Sequence, residues 1–445
     1  MFSPKEKERG ISKKELISRM LLLRMVGGSS ISAISSIMKY EGLEYSSIGT
    51  VSQSLSAVGA LLPKVQTIQV EEKIEITAVA DEIFMGNQPI LITVEPKSSV
   101  ILNIELAKDR TKKSWDKHIE KIESTGEIEI IRMITDEGIG LRSSINERGT
   151  LWQPDTYHAI AHRLGKWVNI LEKRAYKRIA IEYERKRVLK SAKSKKVINQ
   201  RRYKYTKACQ KSNEGIELYE NFLYLYTHII KELRPFKSNG ELRNRDKAKE
   251  NIEVALELIK SLEHEHINKQ TVSIEKILPK LLNYFDEAKR AIERCKKLGM
   301  DNETITTLTL AWQWNKALIK SKKEQRRKNA KEQSLFYLEY AQDILGDGYE
   351  KIQNQLFSEL DNVIQASSMV ENINSILRPY LDHSKNQITQ EFLNLFAFYH
   401  NHRRFKAGKR KGKTPMEILT KEIQNKGWIE LLTDFIERVE PSFFL

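Results

Sequence analysis

The chain has little cysteine: Cys209 and Cys295 are the only two in 445 residues. Two thiols make no disulfide framework, and without other ligands no zinc site. They fit a reducing compartment. No run of about 18 consecutive apolar residues occurs, so no transmembrane helix is expected. The opening stretch MFSPKEKERGISKKEL is charged and has no apolar signal core, which argues against secretion and for a cytoplasmic location. A phosphate-cradling glycine-rich motif is also missing. The isolated GDG at 346–348 reads as a turn, so nothing supports ATP dependence.

Charge is what the chain has in excess. Charged residues make up 30% and hydrophobic residues 40%, which suits a charge-rich, largely helical protein with a real core. The formal net charge is +16. An excess of this size favours a polyanionic partner, through its field and through counterion release. Lys and Arg are densest over 173–207, where Tyr176, Tyr183, Tyr203 and Tyr205 are interleaved. This run reads equally as a solvated helix face and as a surface that tracks phosphates.

Residues 12–62 read as three short helices. The first has Ser12 as its N-cap and ends at Gly27-Gly28. The second places Ile31, Ile34, Ile37 and Met38 on one face. Two short helices joined by a Gly-containing turn suggest a helix-turn-helix. The third helix would then present Ser46, Ser47, Thr50, Ser52 and Gln53 to DNA. A small bundle used for dimerisation is the alternative. Over 70–165 the period changes: KIEITAVADEIF, PILITVEPKS, SVILNIELAK and IEIIRMITDEGIG read as strands, with a helix in SWDKHIEKIES before the fourth. Residues 166–365 look almost wholly helical, with a loop near 235–247. A last amphipathic helix is expected over 421–445, with Trp428, Leu431, Leu432 and Phe435.

Two of the strand-like runs end in acids, at Asp81 and Asp136. If the first and fourth strands are neighbours, the two carboxylates meet. They then repel, so they raise a pKa or demand a cation. Hard oxygen ligands suit Mg²⁺ or Mn²⁺, and a pair of such ions serves phosphodiester chemistry. Glu371 is the candidate third carboxylate. On a helix it shares a face with Asn374, Ser375 and Arg378, where Arg378 can grip a phosphate. Glu359, Asp361 and Glu391 are further candidates for that third position, and Glu82 and Glu137 stand beside the two aspartates. A cap acid with a surface arginine is the plain alternative.

These residues carry a resemblance. The strand bearing Asp81, the ITDEG segment with Asp136, ENINSILRPYL, and the later FYHNHRRFKAGKRKGKTPMEIL resemble the DDE transposases of bacterial insertion sequences. Asn401, Arg403, Arg404, Lys413, Thr414 and Pro415 match the closing pattern in kind, and QPDTYHAIAHRL resembles the segment after the second Asp. The resemblance covers about 70–165 and 366–420. It implies α/β plus all-α architecture: an RNase H-like mixed sheet flanked by helices, an N-terminal helix-turn-helix and a large helical insertion. The corresponding divisions are 1–65 for DNA binding, 66–165 and 366–420 for the catalytic core, 166–365 for the insertion and 421–445 for a terminal helix.

The resemblance further implies a metal-binding triad of Asp81, Asp136 and Glu371 with two Mg²⁺ (or Mn²⁺) ions. It implies nicking at transposon ends and attack of a 3′-hydroxyl on target DNA. Ser46, Thr50, Gln53, Asn374, Arg378, Arg403 and Arg404 are then candidate DNA contacts. The partners implied are double-stranded DNA, at the nucleoid, and a second copy of the chain. A catalytically inactive DNA-binding relative and an RNase H-like nuclease without strand transfer are the other readings. Elsewhere, His158 and His162 have zinc-like spacing but lack a metalloprotease glutamate. The HEH at 264–266 reads as solvated, and Trp312 and Trp314 read as core.

Overall fold

The computed structural model describes residues 11–63, 73–262, 264–384 and 387–445. The chain forms two compact units, one from 1–152 with 366–445 and the other from 153–365. The boundary expected between 65 and 66 lies outside the described residues.

The first unit opens with α1 (Lys13–Leu21), α2 (Ile31–Tyr40) and α3 (Ile48–Leu61). Each begins on a serine. The side chains of Ser12, Ser30 and Ser47 accept from the backbone N–H three residues on, satisfying a donor the first turn leaves orphaned. A π turn, Leu22–Val26, prolongs α1 to the glycine pair, where Gly28 takes φ +63°. Ile34 and Met38 are buried under α2, whereas Ile37, expected beside them, is 36% exposed at the margin of the apolar stripe.

The sheet follows. Its elements are β1 (Ile74–Met85), β2 (Gln88–Glu95), β3 (Val100–Leu106), α4 (Lys112–Glu123), β4 (Ile128–Thr135), α5 (Ile139–Arg148) and β5 (Leu151–Pro154). The order is β3-β2-β1-β4-β5. β1, β2 and β3 run antiparallel through short turns, and β4 lies parallel to β1. A parallel neighbour needs a long crossover, which α4 supplies. Almost every residue of β2 is buried, the mark of a strand covered on both faces. The four expected strands are present, while α5 and β5 were not anticipated. Asp81 was expected at a strand end, but β1 runs on to Met85. It is β4 that stops, at Thr135.

The second unit is built from α6 (Arg163–Lys190), α7 (Lys195–Glu232), α8 (Arg245–Lys260), α9 (Glu265–Leu281), α10 (Tyr284–Lys297), α11 (Asn302–Lys320), α12 (Glu324–Leu345) and α13 (Tyr349–Asp361). α6 and α7 form a long hairpin. Phe236, Leu308, Leu356 and Leu360 belong to a core cluster further along, and Trp312 packs against it. His264, expected in solvent, stands edge-on to Trp167 with ring centroids 4.9 Å apart.

The first unit is completed by α14 (Ser368–His383), α15 (Gln390–His402), α16 (Pro415–Thr420) and α17 (Trp428–Val439). The terminal helix is thus shorter than the expected 421–445. α14 packs on β1 and β2. α15 lies along β3, the edge strand, and closes that edge with amide side chains. Asn401 accepts from Ile101 N (2.9 Å) and donates to Ile101 O (3.0 Å). Gln390 accepts from Leu106 N (2.8 Å) and donates to Ile104 O (3.0 Å). Backbone groups that would otherwise template another strand are paired in this way. α3 crosses α15 at Gly59, where a Cβ would stand 2.1 Å from the Glu391 carbonyl oxygen. Met20, Val51, Leu395, Phe398, Leu432 and Ile436 join α1, α3, α15 and α17 in one core. Among the described residues no helix is long and apolar enough to cross a membrane.

Candidate active site

The site is set by the pairing of β1 with β4. Val79 of β1 stands opposite Ile134 of β4 in parallel register. Two residues further along each chain come Asp81 and Asp136. Side chains two apart share a face of a strand, so Asp81 leaves β1 on the face of Val79, at the level where β4 runs out. Asp136 lies just beyond that end. Its Oδ1 accepts from Gly138 N at 2.8 Å, which turns the chain into α5. Thr135 Oγ1 donates to Asp136 O (2.7 Å) and accepts from Trp152 Nε1 (3.0 Å), anchoring the same corner.

The third element is α14. Asn374 is 5% exposed and its Nδ2 donates to Asp81 Oδ2 at 3.0 Å. Its Oδ1 is buried and has no hydrogen-bond partner. Glu371, one turn earlier, is exposed, as are Ser375 and Arg378. The stripe expected to hold Glu371, Asn374, Ser375 and Arg378 together is therefore split. Asn374 belongs to the buried side with Val370, Ile373 and Leu377, because packing on the sheet rotates that side inward. Among the described residues no three His, Cys, Asp or Glu side chains are grouped closely enough to hold one ion. The structure brings Asp81, Asp136 and Asn374 to one end of the sheet and leaves Glu371 on the solvent side of the helix that covers β1.

One neighbour was missed from the sequence. Arg110, after β3, pairs with Glu82, whose side chain is 7% exposed, while the arginine itself is 62% exposed. The hydrogen bond and charge of Glu82, and then the charge of Asp136, raise the Arg110 pKa. No motif in the AKDRTKK segment announces it. Gly140 of α5 keeps this loop close, since a Cβ there would meet Arg110 O at 2.2 Å.

The donors are oxygens only: the carboxylates of Asp81 in β1 and of Asp136 just past β4, and an orphaned amide oxygen beside the first. That set fits Mg²⁺ or Mn²⁺. Two of the alternative third acids are engaged within the helical unit. Glu359 accepts from Arg294 Nε at 2.9 Å, and Asp361 from Trp312 Nε1 at 2.8 Å.

The candidate DNA contacts divide by environment. Ser46 precedes the α3 cap, and its carbonyl accepts from Ser35 Oγ (2.6 Å). Thr50 Oγ1 bonds the Ser47 hydroxyl (2.8 Å), and Gln53 is exposed. α3 contains no Arg or Lys. Arg403 lies over the Tyr399 ring, 5.5 Å from its centroid. Arg404 Nη1 donates to both Glu417 oxygens at 3.0 Å and to Gly412 O at 2.7 Å, so it stitches a loop to α16. Thr414 and Glu417 form the α16 capping box. No protein-family model and no curated protein sequence matches the chain.

Proposed function

We propose that the chain is a DDE-type transposase of the bacterial insertion-sequence kind, with an RNase H-like core that acts on double-stranded DNA. The observation that carries this reading is the placement of Asp81 in β1, bonded by Asn374 of the covering helix, with Asp136 just past the end of the parallel neighbour β4. The strand order β3-β2-β1-β4-β5, antiparallel through β1 and then parallel, supports the same core. Helices α1–α3 would be the end-recognising module, and two copies would hold two DNA ends.

Asp81, Asp136 and Glu371 would hold two Mg²⁺ or Mn²⁺ ions, whose chemistry is activation of the attacking oxygen and stabilisation of the leaving one. The chain's own residues do the rest. Asn374 fixes the rotamer of Asp81. Arg110 offers an exposed guanidinium beside the acids, suited to a phosphate oxygen. Glu371, exposed on α14, would have to turn in toward the aspartates to join them. Arg378, two turns along the exposed face, grips the backbone.

The test uses a plasmid carrying the DNA that flanks the gene, with Mg²⁺ added. Wild-type protein should nick these flanks and join the 3′ end to target DNA. Asp81→Asn, Asp136→Asn and Glu371→Gln should each slow cleavage by roughly 10³-fold, the equivalent of about 4 kcal/mol of lost charge stabilisation. DNA affinity should be unchanged. Full cleavage by any one variant removes that residue from the triad. Cleavage without joining leaves a nuclease, and binding without either leaves an inactive DNA-binding protein.

A further inference from the structure

The positive charge is concentrated in one place. Residues 173–207 contain fifteen Lys and Arg against Glu182 and Glu184, a surplus of thirteen where the whole chain has +16. They form the far end of the α6–α7 hairpin. From 176 to 207 not one residue is buried; Ala175 and Ala208 mark where the packed part stops. The two legs are lashed by main-chain contacts instead. Arg201 Nη1 donates to Val188 O at 2.7 Å, and Arg178 Nη1 to Lys211 O at 3.0 Å. Arg187 pairs with Glu184 at 3.0 Å. The other basic side chains of this run make no salt bridge among the described residues.

Beyond these bonds, such an arm holds its shape only through half-buried apolar residues such as Val188, Leu189, Val197 and Ile198, and its like charges repel along and between the legs. A merely solvated face mixes signs and pairs them. A polyanion removes the repulsion. We propose that this arm is a grip for the backbone of duplex DNA, indifferent to base sequence. The shape selects a duplex. A single strand is held in a charged groove lined with stacking platforms, whereas two packed helices present a convex surface, on which Tyr176, Tyr183 and Tyr203 stand exposed. A duplex brings its own grooves and one charge per ~1.7 Å of axis. The fifteen residues from Tyr176 to Lys190 span about 22 Å of helix, a length over which a duplex carries roughly 13 charges. Thirteen Lys and Arg lie between 176 and 207. Contacts of this kind set register and affinity and carry no sequence information.

The inference rests on the reading of the chain as a DNA-acting enzyme, but its readout is affinity and salt dependence, not cleavage. The full chain would be titrated with a random-sequence duplex between roughly 50 and 200 mM salt. In the arm variant Arg185, Lys186, Lys190, Lys193, Lys195 and Lys196 are changed to Gln. In a control, Lys322, Lys323, Arg326, Arg327, Lys328 and Lys331, equally exposed at the start of α12, are changed to Gln. A third protein keeps the arm's charge by exchanging Lys for Arg at the same six positions and Arg for Lys. The arm variant should bind more weakly, with a log–log salt slope lower by about 5. The control and the charge-retaining protein should keep the wild-type slope. A wild-type slope in the arm variant overturns the proposal, as does an equal loss in the control. Preference for single-stranded RNA over the duplex overturns it too. If the wild-type chain neither cleaves nor joins the flanking DNA, the transposase reading falls while the arm stands.

Discussion

His400 is wholly buried between α15 and the β2–β3 turn, where its Nε2 donates to Ser99 O at 2.9 Å. Ser99 there has φ +73°, a left-handed backbone that costs a non-glycine residue energy unless its surroundings hold it. Burial, and then the charge of Arg403, push the His400 pKa down from 6.5 to about 3. Between those two values the unfolded chain takes up a proton that the folded chain refuses. The contribution of His400 is therefore complete above about pH 6.5 and is lost as pH falls toward 3, at up to ~1.4 kcal/mol per pH unit. In thermal melts across this range, His400→Gln should flatten the pH dependence. An unaltered slope would show that another group is responsible. The same segment illustrates what residue identity conceals. NHRR reads as a basic surface motif, yet Asn401 is fully buried and Arg404 is bound to Glu417. Nothing in the residue types separates an arginine that faces phosphate from one that ties down a loop.

At the scale of elements, α15 acts as a strap along β3. Asn401→Ala would leave Ile101 N–H and C=O buried without partners. Each such loss costs about 1–3 kcal/mol, so urea unfolding should show a destabilisation of roughly 2–6 kcal/mol. A change below ~0.5 kcal/mol, the size of an ordinary surface substitution, would mean that water replaces the amide. This strap was invisible in the sequence, since an amide on a helix does not declare which strand it serves. β1 to β4 were legible because buried β-branched runs are distinctive. β5 is four residues long, too short to show a period, and α5 buries Leu141, Ser144 and Ile145 without an apolar stripe. Asp136 was legible as an acid closing an apolar run, whereas the run bearing Asp81 continues past it to Met85. The burial of Asn374 was not, because a polar residue on the inner side of α14 looks like part of its outer face until the sheet beneath is known.

At the scale of the whole molecule, the first unit is discontinuous: 1–152 and 366–445 are separated by the entire second unit. Its sheet comes from the early segment and its strap from the late one. A chain ending at residue 365 should expose the edge of β3 and the core-facing sides of α1 and α3, and should aggregate or bind a hydrophobic dye. Supplying 366–445 as a separate polypeptide should restore solubility. A soluble, monomeric truncated chain would show that the early segment closes its own edge. The amide strap also imposes a schedule on synthesis. A ribosome adding ~5–20 residues per second takes about 10–40 s to pass from 153 to 365. Throughout that interval the nascent chain carries an uncovered strand edge, and its neighbours on the same messenger carry identical ones. Chaperone occupancy during translation, rather than the stability of the finished protein, would then limit how much of it a cell can make.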